Sequence, residues 1–178
     1  MKKTLFSLSF LACLLWAMAG KAQTDESREF TTKWVPLEMA NLQLNFTDKW
    51  KIEHKEHFGL HAVSPDGKVQ FFAYVTDDHT VEDATKTMQK DLEEYMDNVK
   101  LSQVEVTFQG NGLKVYSTGG TGDSSNEDGQ PSNFIIDFIE THTDEHIIVA
   151  FLAIGTAEEI AANATDLYYI FNSVKENK

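Results

Sequence analysis

The sequence predicts an α+β fold: an antiparallel or mixed β-sheet of about six to seven strands with helices packed on both faces, a three-layer α/β/α sandwich. Three observations predict it. Two apolar stripes at helical spacing, each opened by a capping-box pattern, bracket a block of strand-like segments. Short turn signals join neighbouring strands, which makes those neighbours antiparallel. Two runs, residues 71–75 and 147–154, are apolar without alternation, so the sheet that holds them needs cover on both faces.

Taken in order, residues 23–32 (QTDESREFTT) are polar and read as a flexible N-terminal segment. Leu42, Leu44 and Phe46 alternate with Gln43 and Asn45, and after Thr47-Asp48-Lys49 the alternation resumes at Trp50, Ile52 and His54, two strands around a turn. Ser64-Pro65-Asp66-Gly67 has the residues of a type I turn, joining a strand near 58–63 to one near 68–76. Thr80-Val81-Glu82-Asp83 then caps a helix of about twenty residues, its stripe running through Val81, Ala84, Met88, Leu92, Tyr95, Met96 and Val99.

Val104, Val106 and Phe108 alternate with Glu105 and Thr107, and Gly110-Asn111-Gly112 turns the chain back into Leu113 and Val115. Strands at 134–140 and 147–154 follow around a turn at Thr143-Asp144. Thr156-Ala157-Glu158-Glu159 opens a closing helix whose stripe is Ile160, Ala164, Leu167, Phe171 and Val174.

The first 22 residues carry Lys2 and Lys3, an apolar run from about Leu5 to Met18, and small residues at Ala17, Ala19, Gly20 and Ala22, the order of a secretory signal peptide. Cleavage is expected after Ala19 or Ala22. A lipoprotein reading of Phe10-Leu11-Ala12-Cys13 is disfavoured, because apolar Leu14-Leu15-Trp16 would follow the anchor. The expected location is periplasmic or secreted, with residues 33–178 as a single α+β domain. Residues 1–22 hold three lysines and no acid, so the net charge falls from −13 for the whole chain to −16 after cleavage. Such a surface repels phosphate backbones and anionic headgroups, which excludes nucleic acid as an expected partner. The single cysteine, Cys13, lies in the leader, leaving neither a disulfide nor a catalytic thiol in the mature chain.

The rhythm over residues 38–176 resembles the Mog1/PsbP-like family. It consists of an alternating strand, a turn leading into a Trp (Thr47-Asp48-Lys49-Trp50), a strand ending at Ser64-Pro65-Asp66-Gly67, a long helix, a block of hairpins, and a last helix closing on Ile170-Phe171-Asn172-Ser173-Val174. The resemblance implies an α/β/α sandwich and an accessory or binding protein rather than an enzyme. It transfers no catalytic residue.

Residues 119–133 are rich in glycine and acid. A P-loop needs Lys then Ser or Thr after its last glycine, but Gly122 is followed by Asp123; the dinucleotide fingerprint fails at Ser125. An EF-hand alignment puts Ser124 first and Ile135 twelfth, where Asp and Glu belong. An improvised calcium site at Asp123, Glu127 and Asp128 competes with slack between two strands, and slack is the favoured reading. His54, His57 and His61 are split by strand alternation and by Gly59, and His142 and His146 lack an evident third ligand. Asp77-Asp78 and Glu93-Glu94 read as helix-start and helix-surface acids. Glycosylation patterns at Asn45 and Asn163 matter only in a eukaryotic secretory pathway, and the short leader looks bacterial. Trp34, Trp50 and Phe58 are the candidates for a binding surface or ligand groove, against burial in the core, which is the favoured reading of these aromatics.

No catalytic residue and no cofactor is expected. The expected function is that of a secreted or periplasmic, non-enzymatic binding protein acting on an envelope or extracellular protein. The rival reading is a small-molecule or metal-binding module using an aromatic groove or the acidic loop.

Overall fold

The computed structural model describes residues 31–55, 59–124, 131–141 and 147–177. Strand β1 (Thr32–Leu37) leads through a 3-10 turn (Glu38–Ala40) into its antiparallel partner β2 (Leu42–Thr47). Strand β11 (Lys175–Glu176), at the other end of the chain, pairs with the free side of β2 and completes a three-stranded sheet.

From Trp50 the chain enters a second sheet, built from β3 (Lys51–Lys55), β4 (Gly59–Val63), β5 (Gln70–Thr76), β6 (Met96–Leu101), β7 (Glu105–Phe108), β8 (Lys114–Ser124), β9 (Pro131–Glu140) and β10 (Ile148–Gly155). Its order is β3-β4-β5-β10-β9-β8-β6, with β7 also pairing with β8, and these pairings are antiparallel. Helix α1 (Val81–Tyr95) carries the chain from β5 to the far edge; α2 (Ala157–Ala162) and α3 (Ala164–Asn172) follow β10. The class is therefore α+β with a mainly antiparallel sheet, and that sheet has eight strands rather than six to seven.

The two apolar runs lie at the centre, as β5 beside β10. Alternate residues of one strand enter different hydrophobic clusters, as the two-residue period of a strand requires. Ile148, Ala150 and Leu152 join Phe134, Ile136 and Phe138 with the α1 stripe of Val81, Ala84, Met88 and Leu92. Val149, Phe151 and Ala153 join Leu167, Ile170 and Phe171 of α3 with Val35, Leu37, Leu42, Leu44 and Phe46 of the small sheet. Trp50 sits where the chain passes between sheets, 1% exposed, against Phe46 and Phe71 at ring-centroid distances of 6.0 and 6.4 Å.

Local chemistry accounts for the element ends. Thr80 accepts the Asp83 N–H at 3.1 Å and caps α1, and Thr156 with Glu159 forms a reciprocal capping box on α2. Gly67, with φ +76°, returns its N–H to the Ser64 carbonyl at 2.9 Å and closes the expected turn.

Four expectations need correction. Strands β2 and β3 flank the turn at 47–49 but belong to different sheets, because Phe46 and Trp50 both turn into the core there. Helix α1 stops at Tyr95, and Met96 takes up extended backbone (φ −141°, ψ 147°), so Met96 and Val99 bury as strand residues beside the same cluster. The closing helix is divided at Asn163, whose side chain donates to the Glu159 carbonyl at 3.0 Å. Residues 119–124 are not slack: β8 runs to Ser124 and stays in register with β9 as far as Asp123 opposite Pro131. Their glycines serve packing, since a Cβ on Gly120 would overlap the Lys100 carbonyl oxygen of β6 and the Phe134 ring. Residues 125–130 lie outside the described residues.

Candidate binding surface

The small sheet is two-sided by alternation. Val35, Leu37, Leu42, Leu44 and Phe46 enter the core, so Trp34, Pro36, Gln43, Asn45 and Lys175 share the opposite face, with Trp34 opposite Asn45 and Pro36 and Lys175 both opposite Gln43. Helix α3 borders this face. Its stripe of Leu167, Ile170 and Phe171 is buried, which turns Asp166, Tyr169 and the following Ser173 towards β2.

The contacts there fix the surface aromatics. The Asn45 N–H donates to Ser173 Oγ at 2.8 Å, and Asn45 Nδ2 donates to Tyr169 Oη at 2.7 Å. Trp50 Nε1 donates to Asp166 Oδ2 at 3.1 Å from beneath. Lys175 Nζ stands 3.5 Å from the centroid of the Trp34 ring, an attraction of roughly 0.5–1 kcal/mol at an exposed position. Trp34 is 43% exposed and Tyr169 39% exposed. The result is two exposed aromatic rings, each held by a polar partner: Trp34 by the Lys175 ammonium and Tyr169 by the Asn45 amide. Such groups bind by burying aromatic area while their polar ends keep hydrogen-bond partners.

Of the sequence candidates, Trp34 lies on this surface. Trp50 does not: it is a core residue, so the groove reading is corrected for it and the core reading holds. Phe58 lies outside the described residues. Sequence reasoning missed Asn45, Tyr169 and Lys175. A signal for Tyr169 existed, because Tyr168 and Tyr169 fall off the stripe set by Leu167, Phe171 and Val174.

Asp123 accepts a hydrogen bond from Asn98 Nδ2 at 2.8 Å and stands opposite Asp97 in the β6–β8 register, while Glu127 and Asp128 lie outside the described residues. His61 stacks on Phe72 with centroids 4.7 Å apart, its Nε2 2.7 Å from Gln70 Oε1. His57, His142 and His146 lie outside the described residues. Asp137 on β9 faces Ser117 of β8 and Phe151 of β10 in register. Burial pushes its carboxyl up to about 6, and the hydrogen bond with Ser117 pulls the other way.

No family model and no curated protein matches the sequence. Solved structures do match. Cyanobacterial PsbP (CyanoP) of Synechocystis superposes with a TM-score of 0.61 at 7% identity, covering 87% of this chain and 99% of its own. The Ran-binding protein Mog1p of Saccharomyces cerevisiae gives 0.57 at 11%, covering 84% and 97%. LpqN of Mycobacterium tuberculosis, involved in cell envelope biogenesis, gives 0.58 at 11%, covering 83% and 91%. Identities this low speak to the fold alone, and the coverage is nearly complete on both sides: the chain has the Mog1/PsbP-like fold.

Proposed function

We propose that this protein is a non-enzymatic binding or accessory protein, exported from the cytoplasm, that engages another protein through the surface of Trp34 and Tyr169. The observation that carries the reading is that two large aromatic side chains are exposed yet held, one by an ammonium and one by a buried amide. Ordering them in advance lowers the entropy lost on binding. Neighbours of the same fold include a Ran-binding protein and a protein of envelope biogenesis, which supports a partner-binding role in an envelope setting. The leader pattern of residues 1–22 supports export. The two hydrophobic clusters, one with α1 and one with α3, support helical cover on both faces of the large sheet, and residues 33–178 serve as one domain.

The test is recovery of a partner from the native envelope fraction by the mature protein. Trp34→Ala with Tyr169→Ala should abolish recovery without lowering the melting temperature by more than a few degrees. Undiminished recovery by the double variant contradicts the assignment of the surface.

A further inference from the structure

A second surface lies on the large sheet, at β7. The described sheet has edges at β3, β6 and β7. Unprotected edges pair with stray strands, and proteins blunt them with charge, bulges or proline. Strand β3 reads Lys-Ile-Glu-His-Lys. Strand β6 carries a register irregularity between Asp97 and Lys100, with Asn98 at φ +54°. Strand β7 reads Glu-Val-Thr-Phe, with one charge at its start, no register irregularity and no proline.

The register shows which backbone groups are free. Gln109 N–H donates to the Leu113 carbonyl at 2.9 Å, and β7 pairs with β8 as Glu105 with Ser117, Val106 with Tyr116, Thr107 with Val115 and Phe108 with Lys114. Hydrogen-bonded pairs alternate in an antiparallel ladder, so Glu105 and Thr107 share the ladder phase of Gln109. The N–H and C=O of Val106 and Phe108 therefore point away from β8, and among the described residues no other strand pairs with β7. Their side chains are 51% and 71% exposed. Both lie on the face of Tyr116, beside Lys114, whose ammonium stands 4.4 Å from the centroid of the Tyr116 ring. Glu105 is the only charge on the strand.

We infer that β7 accepts an extended, cationic segment of a partner protein as an added antiparallel strand, using the outward backbone groups of Val106 and Phe108. The occupant follows from charge. The chain carries 28 acids against 15 bases, so a second copy is repelled and a Lys- or Arg-bearing segment is drawn in. Side-chain alternation sets its pattern: apolar opposite Phe108, polar opposite Thr107, apolar opposite Val106, and basic opposite Glu105. Read from its N-terminus, the segment is apolar, polar, apolar, basic. The inference rests on the binding reading above but not on the Trp34 surface.

The probe is an acetylated, amidated peptide, GTVTVKTG, titrated into the isotope-labelled mature protein at low salt. Amide shifts should concentrate at Val106 and Phe108. Val106→Pro removes an outward N–H and leaves the ladder to β8 intact, so it should stay folded and bind about fivefold to tenfold more weakly, the loss of one backbone hydrogen bond. The peptide GTVTVETG should bind more weakly still at low salt, and Trp34→Ala should change neither result, which separates failure here from failure of the aromatic surface. No shift at millimolar peptide overturns the inference. So does equal binding of the two peptides, or a concentration-dependent dimer that Val106→Pro dissolves. A Val106→Pro variant that unfolds contradicts the register on which the inference stands. Phe108→Ser, which leaves every backbone group in place, should also weaken binding, and its failure to do so removes the apolar contact from the account.

Discussion

Asp137 is an acid placed where its charge is poorly solvated. Its carboxyl sits on an inner strand between Ser117 and Phe151, with its pKa raised to about 6 by burial. In the unfolded chain the same group titrates near 3.8. Between these values the native carboxyl holds a proton that the unfolded one has released, so its stabilising contribution is complete below about pH 3.8 and is lost as pH rises through about 6. Asp137→Asn keeps a partner for Ser117 and has no charge to bury. In denaturant melts the variant should exceed the wild type by about 1–3 kcal/mol at pH 7.5, with the difference closing near pH 3.5. A difference independent of pH contradicts the burial of this carboxyl. Asp123 raises the opposite question, because it stands across from Asp97 and like charges opposite each other destabilise a sheet. The Asn98 amide already holds one of its oxygens. Under the binding-protein account, millimolar calcium leaves the melting temperature unchanged, whereas a specific site at 100 times its dissociation constant adds about 2.7 kcal/mol. A saturable rise that Asp123→Asn removes would establish the metal-binding rival.

Among the elements, α1 and α3 owe their positions to stripes that were legible in the sequence. Leu92 is buried in the cluster on α1, and Phe171 meets Phe71 at 5.5 Å. Leu92→Ala and Phe171→Ala should each cost about 2–5 kcal/mol in denaturant melts. Losses below about 0.5 kcal/mol at both would mean that the buried faces are misassigned. Strand β8 was less legible, because glycine and acid at 119–124 have the composition of a loop. Long-range pairing overrides that composition: Gly119, Gly120 and Gly122 are paired along β9, and Gly120 lets Lys100 and Phe134 approach the backbone. Gly120→Ala should therefore destabilise measurably, which a slack connection would not. The end of α1 failed for a related reason. Met96 and Val99 continue the helical spacing of Leu92, and only the pairing of β6 with β8 shows that they bury as strand residues.

At the scale of the whole molecule, the class, the hairpin at Gly110-Asn111-Gly112 and the central pair of apolar strands could be read from local pattern. The association of β1, β2 and β11 could not, because it joins residues more than a hundred positions apart and β11 has only two residues. The candidate surface depends on that association. Lys175 reaches Trp34 only because the last strand returns beside β2, and Tyr169 meets Asn45 only because α3 lies along the same strand. Trp34 was therefore visible as a candidate, while the residues that hold its surroundings were not. For Trp50 the favoured core reading holds and the surface reading fails; a tryptophan near a turn looks the same in sequence whether it faces solvent or core.

The central claim is that the face of Trp34 and Tyr169 meets a protein partner. Its most direct test places a photo-reactive amino acid at Gln43, which lies between Pro36 and Lys175 on that face, and another at Glu93 on α1 as a control. Irradiation of the mature protein in its native envelope fraction should give one discrete adduct from position 43, absent with Trp34→Ala, and none from position 93. No adduct from position 43, or the same adduct from both positions, would contradict the account.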